Sequence, residues 1–242
     1  MIPLQTIYDA RERISSTVVN TPLGYAPRLS ELSECEVYLK KDNLQVTGAF
    51  KIRGAYNKMA TLSAEERSKG VIAASAGNHA QGVAMAAQMF NARALIVMPE
   101  STPLTKINGV KYYGAEVILA GNNYDEAYGY ASKYGVEHGM SFVHPFEDEA
   151  VIAGQGTIAL EILDELDAFD AIIVPVGGGG LISGVASAIK AINPSIEVIG
   201  VSALGAPAMK ESFDAKKPID STTVRTIADG IAVRDTSSIT LN

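Results

Sequence analysis

The chain has a single cysteine, Cys35, in 242 residues. No internal disulfide can form, and a reducing cytoplasm fits. The three histidines, His79, His138 and His144, are scattered. With one cysteine they make no zinc spacing, so no metal site is expected. Excess positive charge is also missing. A net charge of −7 argues against nucleic acid and against an anionic membrane as partners, since both call for basic patches. No apolar run approaches the ~20 residues of a membrane span. The start, Met1-Ile2-Pro3-Leu4-Gln5, lacks the basic-then-apolar pattern of a signal peptide. Internal repeats and low-complexity segments are absent.

What is present is core material. Hydrophobic residues make up 47% of the chain and charged residues 19%, enough for one large domain or two small ones. Ile7, Ala10, Ile14 and Val18 recur at helical spacing and predict an amphipathic helix that stops before Asn20-Thr21-Pro22. Thr21-Pro22-Leu23 reads as a turn, and Val37-Tyr38-Leu39 as a short strand. An alternation follows. Strands are expected at 71–74, 94–98, 116–119 and 141–143, with helices at 79–90, 103–112 and 124–136 between them. A second alternation has a helix at 156–166, a strand at 171–174, a helix at 182–192 and a strand at 197–201. The tail 226–233 reads as a loop into a strand. Strands alternating with helices imply right-handed crossovers on parallel sheets covered on both faces. The fold class is therefore α/β with two doubly wound parallel-sheet units. Boundaries fall near residues 46 and 146: residues 1–46 with 146–242 form the larger domain, and 47–145 a smaller, mobile one.

Three stretches carry chemistry. In Thr47-Gly48-Ala49-Phe50-Lys51-Ile52-Arg53-Gly54-Ala55 a lysine sits among apolar neighbours. Desolvation disfavours its ammonium form and can leave a neutral amine able to attack a carbonyl or take a proton. This stretch should open a helix from Phe50 to about Met59, with Thr47 as N-cap. In Ser75-Ala76-Gly77-Asn78-His79, straight after a strand, polar side chains and a helix start suit a carboxylate or phosphate. An ordinary Ser or Asn helix cap accounts for the same residues equally well, and His79 taken alone reads as structural. Gly177-Gly178-Gly179-Gly180 lies between a strand and a helix. Four glycines cost conformational entropy that a plain turn does not require, whereas backbone N–H groups converging on a phosphate do. The stretch fails the dinucleotide fingerprint, because Ile182 falls where its third glycine belongs, and it lacks the P-loop lysine. A cofactor with both an aldehyde and a phosphate would use all three stretches, and pyridoxal 5′-phosphate is such a molecule.

Thr21-Pro22-Leu23, the Thr47–Ala55 stretch, Ser75-Ala76-Gly77-Asn78-His79-Ala80-Gln81-Gly82 and Gly177 to Leu181 occur in the order and spacing of threonine dehydratases (threonine ammonia-lyases). Met98-Pro99-Glu100 and Ala228-Asp229-Gly230-Ile231-Ala232-Val233 resemble the same family, which belongs to the tryptophan-synthase-β-like, fold type II, pyridoxal-phosphate enzymes. The resemblance implies that Lys51 holds the cofactor as a Schiff base and then serves as base on the substrate α-carbon. It places Phe50 beside the cofactor, Asn78 on the ring's 3′ oxygen and Gly230 near the ring. Gly177, Gly178, Gly179, Gly180 and Leu181 would cradle the phosphate. Ser75, Ala76, Gly77, Asn78 and His79 would grip the substrate carboxylate. The implied reaction converts L-threonine to 2-oxobutanoate and ammonia, and L-serine to pyruvate, in a cytoplasmic homodimer or homotetramer.

Ala76 stands where similar serine racemases carry a second serine, so racemisation is expected to be weak or absent. Ser202 stands where relatives often place a cation-binding glutamate, which again predicts no metal. The family's core continues past Asn242, so the resemblance implies that its C-terminal part is missing, with the group that faces the pyridine nitrogen and any regulatory domain. The alternatives are an L-serine dehydratase, a threonine synthase, or a catalytically incomplete cofactor-binding fragment. A nicotinamide dehydrogenase is disfavoured by the failed fingerprint. The sequence does not separate isoleucine biosynthesis from threonine catabolism.

Overall fold

A computed structural model describes residues 1–241. In chain order its elements are α1 (Leu4–Ile14), β1 (Leu23–Tyr25), α2 (Pro27–Ser33), β2 (Tyr38–Lys40), α3 (Lys51–Thr61), α4 (Ala64–Lys69), β3 (Val71–Ala74), α5 (Asn78–Met89), β4 (Ala94–Met98), α6 (Leu104–Lys111), β5 (Glu116–Leu119), α7 (Tyr124–His138), β6 (Ser141–Phe142), α8 (Glu149–Glu165), β7 (Ala171–Pro175), α9 (Gly180–Ile192), β8 (Glu197–Val201), α10 (Ala208–Ala215) and α11 (Ser238–Leu241). No helix among the described residues is long and apolar enough to cross a membrane.

The continuous apolar runs become parallel strands, as expected. β5, β4, β3 and β6 lie side by side in that order, all parallel. β3 and β4 are buried along their whole length. One face of this sheet packs into a core with Ile52, Met59, Val83, Ile96 and Met98. The other packs Ile72, Leu95 and Val97 against Ala127 and Ala131 of α7. Burying side chains of this size stabilises the fold by about 1.5–3 kcal/mol each, which is why both faces are covered. β7 pairs with β8, also in parallel. A third core joins Ile7 of α1, Ile152 and Leu160 of α8, and Val185 and Ile189 of α9.

Several expectations are corrected. α1 ends at Ile14, not Val18, although the Val18 N–H still bonds the Ile14 carbonyl at 2.9 Å. Thr21-Pro22-Leu23 is more than a turn, because Leu23 opens β1, which pairs antiparallel with β2. Thr47 does not cap α3. Its hydroxyl donates to the Ala49 carbonyl at 3.3 Å, and the helix starts at Lys51 with no side-chain cap. α8 begins well before Gly156: Asp148 Oδ1 accepts the N–H groups of Ala150 at 2.9 Å and Val151 at 3.1 Å and so nucleates it at Glu149. The tail forms a single 3-10 turn, Asp229–Ile231, rather than a strand. α2, α4, α10 and α11 were not expected. α4 is held by a capping box, with Glu66 N–H donating to Ser63 Oγ at 3.1 Å and Ser63 N–H to Glu66 Oε2 at 2.7 Å.

Candidate active site

α3 opens on Lys51, so the helix start fixes the lysine in space. Lys51 Nζ donates to the Pro145 carbonyl at 2.9 Å and lies 5.3 Å from the centre of the Phe50 ring. Among the described residues no carboxylate pairs with it. Burial without a counter-charge pushes its pKa down to about 8. The amine expected from the apolar company of Lys51 is therefore present: near neutral pH an appreciable share of it carries a free lone pair.

The loops named in the sequence are linked to Lys51 by a closed chain of contacts. Pro145, which takes the Lys51 proton donor, is followed by Phe146, whose ring lies on Gly178; a Cβ built there would stand 2.3 Å from Phe146 Cδ1. Gly177 abuts Ile231, with a built Cβ 3.1 Å from Ile231 Cα. Gly230, next in line, approaches Asn78, with a built Cβ 3.9 Å from Asn78 Nδ2. Asn78 opens α5, and Gly82 of that helix packs on the Lys51 backbone, its built Cβ 3.2 Å from Lys51 O.

At the glycine loop Gly179 takes φ +87°, a left-handed conformation that favours glycine, and α9 begins at Gly180. The backbone N–H groups of Gly177 through Ile182 donate to no acceptor among the described residues. Free donors at the start of a 13-residue helix form a site for a phosphate. The glycine count itself has another cause. Phe146 crowds Gly178 and Gly180, the 231–233 segment crowds Gly177, and Met209 and Thr240 crowd Gly179. The case for phosphate rests on the free amides, not on the entropy of four glycines.

The Ser75–His79 loop follows β3. Ser75 Oγ accepts the Gly77 N–H at 3.2 Å, and no side chain caps α5. The N–H groups of Asn78, His79 and Ala80 likewise donate to no acceptor among the described residues. A plain cap is thus not what these polar residues provide; the open amides suit a carboxylate. The ring of His79 is turned inward. Its Nε2 lies 2.8 Å from the Val143 carbonyl and its buried Nδ1 has no partner. Burial, with the nearby Lys51 charge, lowers its pKa to about 3, so the ring is neutral at physiological pH. His79 therefore leaves its backbone N–H without a partner among the described residues at the helix start.

Sequence reasoning missed the His144–Phe146 corner. His144 Nδ1 accepts the N–H groups of Phe146 at 3.3 Å and Glu147 at 2.7 Å, which fixes the turn that presents the Pro145 carbonyl. It also gave no role to Arg53, although a second cation in one apolar turn is itself a signal that carboxylates must meet it.

The residues fit pyridoxal phosphate: a buried amine without counter-ion for an aldehyde, and a row of free helix-start amides for a phosphate. The comparisons agree. The family model described as pyridoxal-phosphate dependent enzyme matches residues 14–242. The chain belongs to this family. It is 52% identical over 240 residues to an L-threonine ammonia-lyase of Thermotoga maritima, a match that covers 99% of the chain and 60% of that relative. Among solved structures it resembles the processed form of threonine deaminase isoform 2 from Solanum lycopersicum, with TM-score 0.94 and 43% identity, covering 98% of this chain and 69% of that one. It also resembles maize serine racemase, with TM-score 0.96 and 38% identity, covering 99% and 73%. The chain thus spans about three fifths of the length of the Thermotoga relative.

Proposed function

We propose that this chain carries the catalytic machinery that dehydrates and deaminates L-threonine to 2-oxobutanoate and ammonia, and L-serine to pyruvate. The observation that carries the reading is the buried, unpaired Lys51 amine, linked by contacts to two loops with free amides. The 52% identity to a threonine ammonia-lyase selects the substrate class. Pyridoxal phosphate, when bound, supplies an aldehyde for the substrate amine and a conjugated ring that takes up the electron pair left at the α-carbon.

The chain's own residues do the rest. Gly177 through Leu181 bind phosphate through their N–H groups. Phe50, Asn78 and Gly230 would hold the cofactor ring. The free amides at the end of the Ser75–His79 loop, those of Asn78, His79 and Ala80, orient the substrate carboxylate. Lys51 Nζ accepts the α-proton; a pKa of about 8 lets it both take and return a proton near neutrality. The β-hydroxyl departs with a proton as water. Hydrolysis of the released imine uses one water and gives 2-oxobutanoate and ammonia, so the sum is threonine to keto acid plus ammonia. Residues 47–145 form the unit that closes over the substrate, and the protein acts as a cytoplasmic homodimer or homotetramer.

Serine racemisation is the second reading, prompted by the fit to maize serine racemase. It needs a proton donor on the opposite face of the α-carbon, and Ala76 carries none. The test uses full-length protein with pyridoxal phosphate. L-Threonine should yield 2-oxobutanoate, no D-serine should form from L-serine, and Lys51→Ala should lower turnover by at least about 10²–10⁴-fold. Full turnover in Lys51→Ala would overturn the assignment.

A further inference from the structure

α8 touches two of the helices that begin at the site, α3 and α9, and it does so backbone to backbone. Gly154 lies on α3: a Cβ built there would stand 2.6 Å from the Arg53 carbonyl oxygen and 2.6 Å from Gly54 Cα. Gly156, on the same helix, lies on α9: its built Cβ would stand 2.8 Å from the Gly184 carbonyl oxygen, and one on Gly184 would stand 2.3 Å from the Ile152 carbonyl oxygen. No side chain can be inserted at either crossing without moving a helix. The two crossings lie close to the two helix starts that matter. Lys51 begins α3 within one turn of Gly54, and the glycine loop begins α9 about one turn before Gly184.

Arg53 locks the first crossing. Its fully buried guanidinium makes two forked pairs. Nε and Nη2 meet the two oxygens of Asp42 at 2.8 Å each. Nη1 and Nη2 meet those of Glu161, on α8, at 2.5 and 2.9 Å. Nη1 also donates to Thr157 Oγ1 of α8 at 3.2 Å, and Nη2 to the Val19 carbonyl at 3.4 Å. A planar fork between two carboxylates sets both the angle and the height of the α3 start. The carboxylates are themselves held: Asp42 by the Thr21 hydroxyl at 2.7 Å, Glu161 by Lys40 at 2.8 Å.

We propose that Arg53 and the Gly154–Gly156 segment of α8 form a spacer, a set of positioning residues that fixes the separation between Lys51 and the phosphate-binding loop so that one cofactor molecule can engage both ends. The inference rests on the family's cofactor and on the two ends named above, but not on threonine as substrate, so a failed turnover assay leaves it standing.

The test compares a two-ended ligand with one-ended probes, on full-length apoprotein. Pyridoxal 5′-phosphate engages both ends, pyridoxal only Lys51, and inorganic phosphate only the glycine loop. Arg53→Lys keeps the charge and loses the forks; Gly156→Ala forces α9 away from α8. Because small misplacements of an engaged group are costly, each variant should bind pyridoxal phosphate at least about tenfold more weakly, while pyridoxal and phosphate affinities stay within about twofold of wild type. Unchanged pyridoxal-phosphate binding would overturn the proposal. So would a parallel fall in all three affinities, which marks a disordered site rather than a displaced one. Should Gly156→Ala fail to fold, Arg53→Lys and Glu161→Gln decide by the same criteria.

Discussion

The two faces of the first turn of α3 carry one cation each, and the two behave in opposite ways. Lys51, on the cleft side, has a carbonyl for company and no carboxylate, and burial lowers its pKa to about 8. Arg53, facing α8, is buried too, yet hydrogen bonds and charge from Asp42 and Glu161 outweigh the desolvation and raise its pKa. Burial alone therefore does not decide what a cation becomes. Desolvation without a counter-ion yields a reactive amine, while desolvation with two forked carboxylates yields a permanent charge that acts as a structural pin.

The contrast can be broken from either side. Removing the pin has the largest expected effect. Arg53→Met leaves Asp42 and Glu161 facing each other without their shared cation and should destabilise the protein by about 3–5 kcal/mol, read by denaturant unfolding at pH 7. Removing the reactive amine should do the reverse. Lys51→Met relieves the cost of burying an ammonium and should stabilise the apoprotein by up to about 3 kcal/mol at pH 7. The sign follows from the lowered pKa. Below about pH 8 both folded and unfolded chains hold the proton and the cost is full. Between about 8 and the ordinary lysine value near 10.5, only the unfolded chain still holds it, so wild-type stability climbs with pH and the gap to Lys51→Met closes. A gap that widens with rising pH would contradict this. The smallest effect belongs to the outer part of the pin. Thr21→Val deletes one hydroxyl donor to Asp42 and should cost about 1–2 kcal/mol, with the Lys51 titration unmoved.

Much of this architecture could be read from residue patterns. The expected strands at 71–74, 94–98, 116–119 and 197–201 coincide with β3, β4, β5 and β8, because continuous apolar runs between helices leave little choice of register. The expected helix at 156–166 missed the first turns of α8, which run through Gly154 and Gly156. These glycines are the points where two helices come close enough to exclude any side chain, a fact that resides in the partners Gly54 and Gly184. The lowered pKa of Lys51 was legible because its cause, an apolar neighbourhood, is local. The pairing of Arg53 was not, because Glu161 lies 108 residues away. The glycine loop teaches a subtler lesson: its place between a strand and a helix was anticipated, but the crowding by Phe146, Ile231, Met209 and Thr240 that requires glycine there comes from distant segments.

The most direct measurement is the titration of the Lys51 amine itself. Its acylation rate in apoprotein, followed by peptide mass spectrometry from pH 6 to 11, gives the midpoint. A Lys51 midpoint of about 8 is the result the account predicts. A midpoint at the ordinary lysine value near 10.5 would show that the amine is solvated or paired, and would contradict the claim that burial without a counter-ion makes this residue reactive.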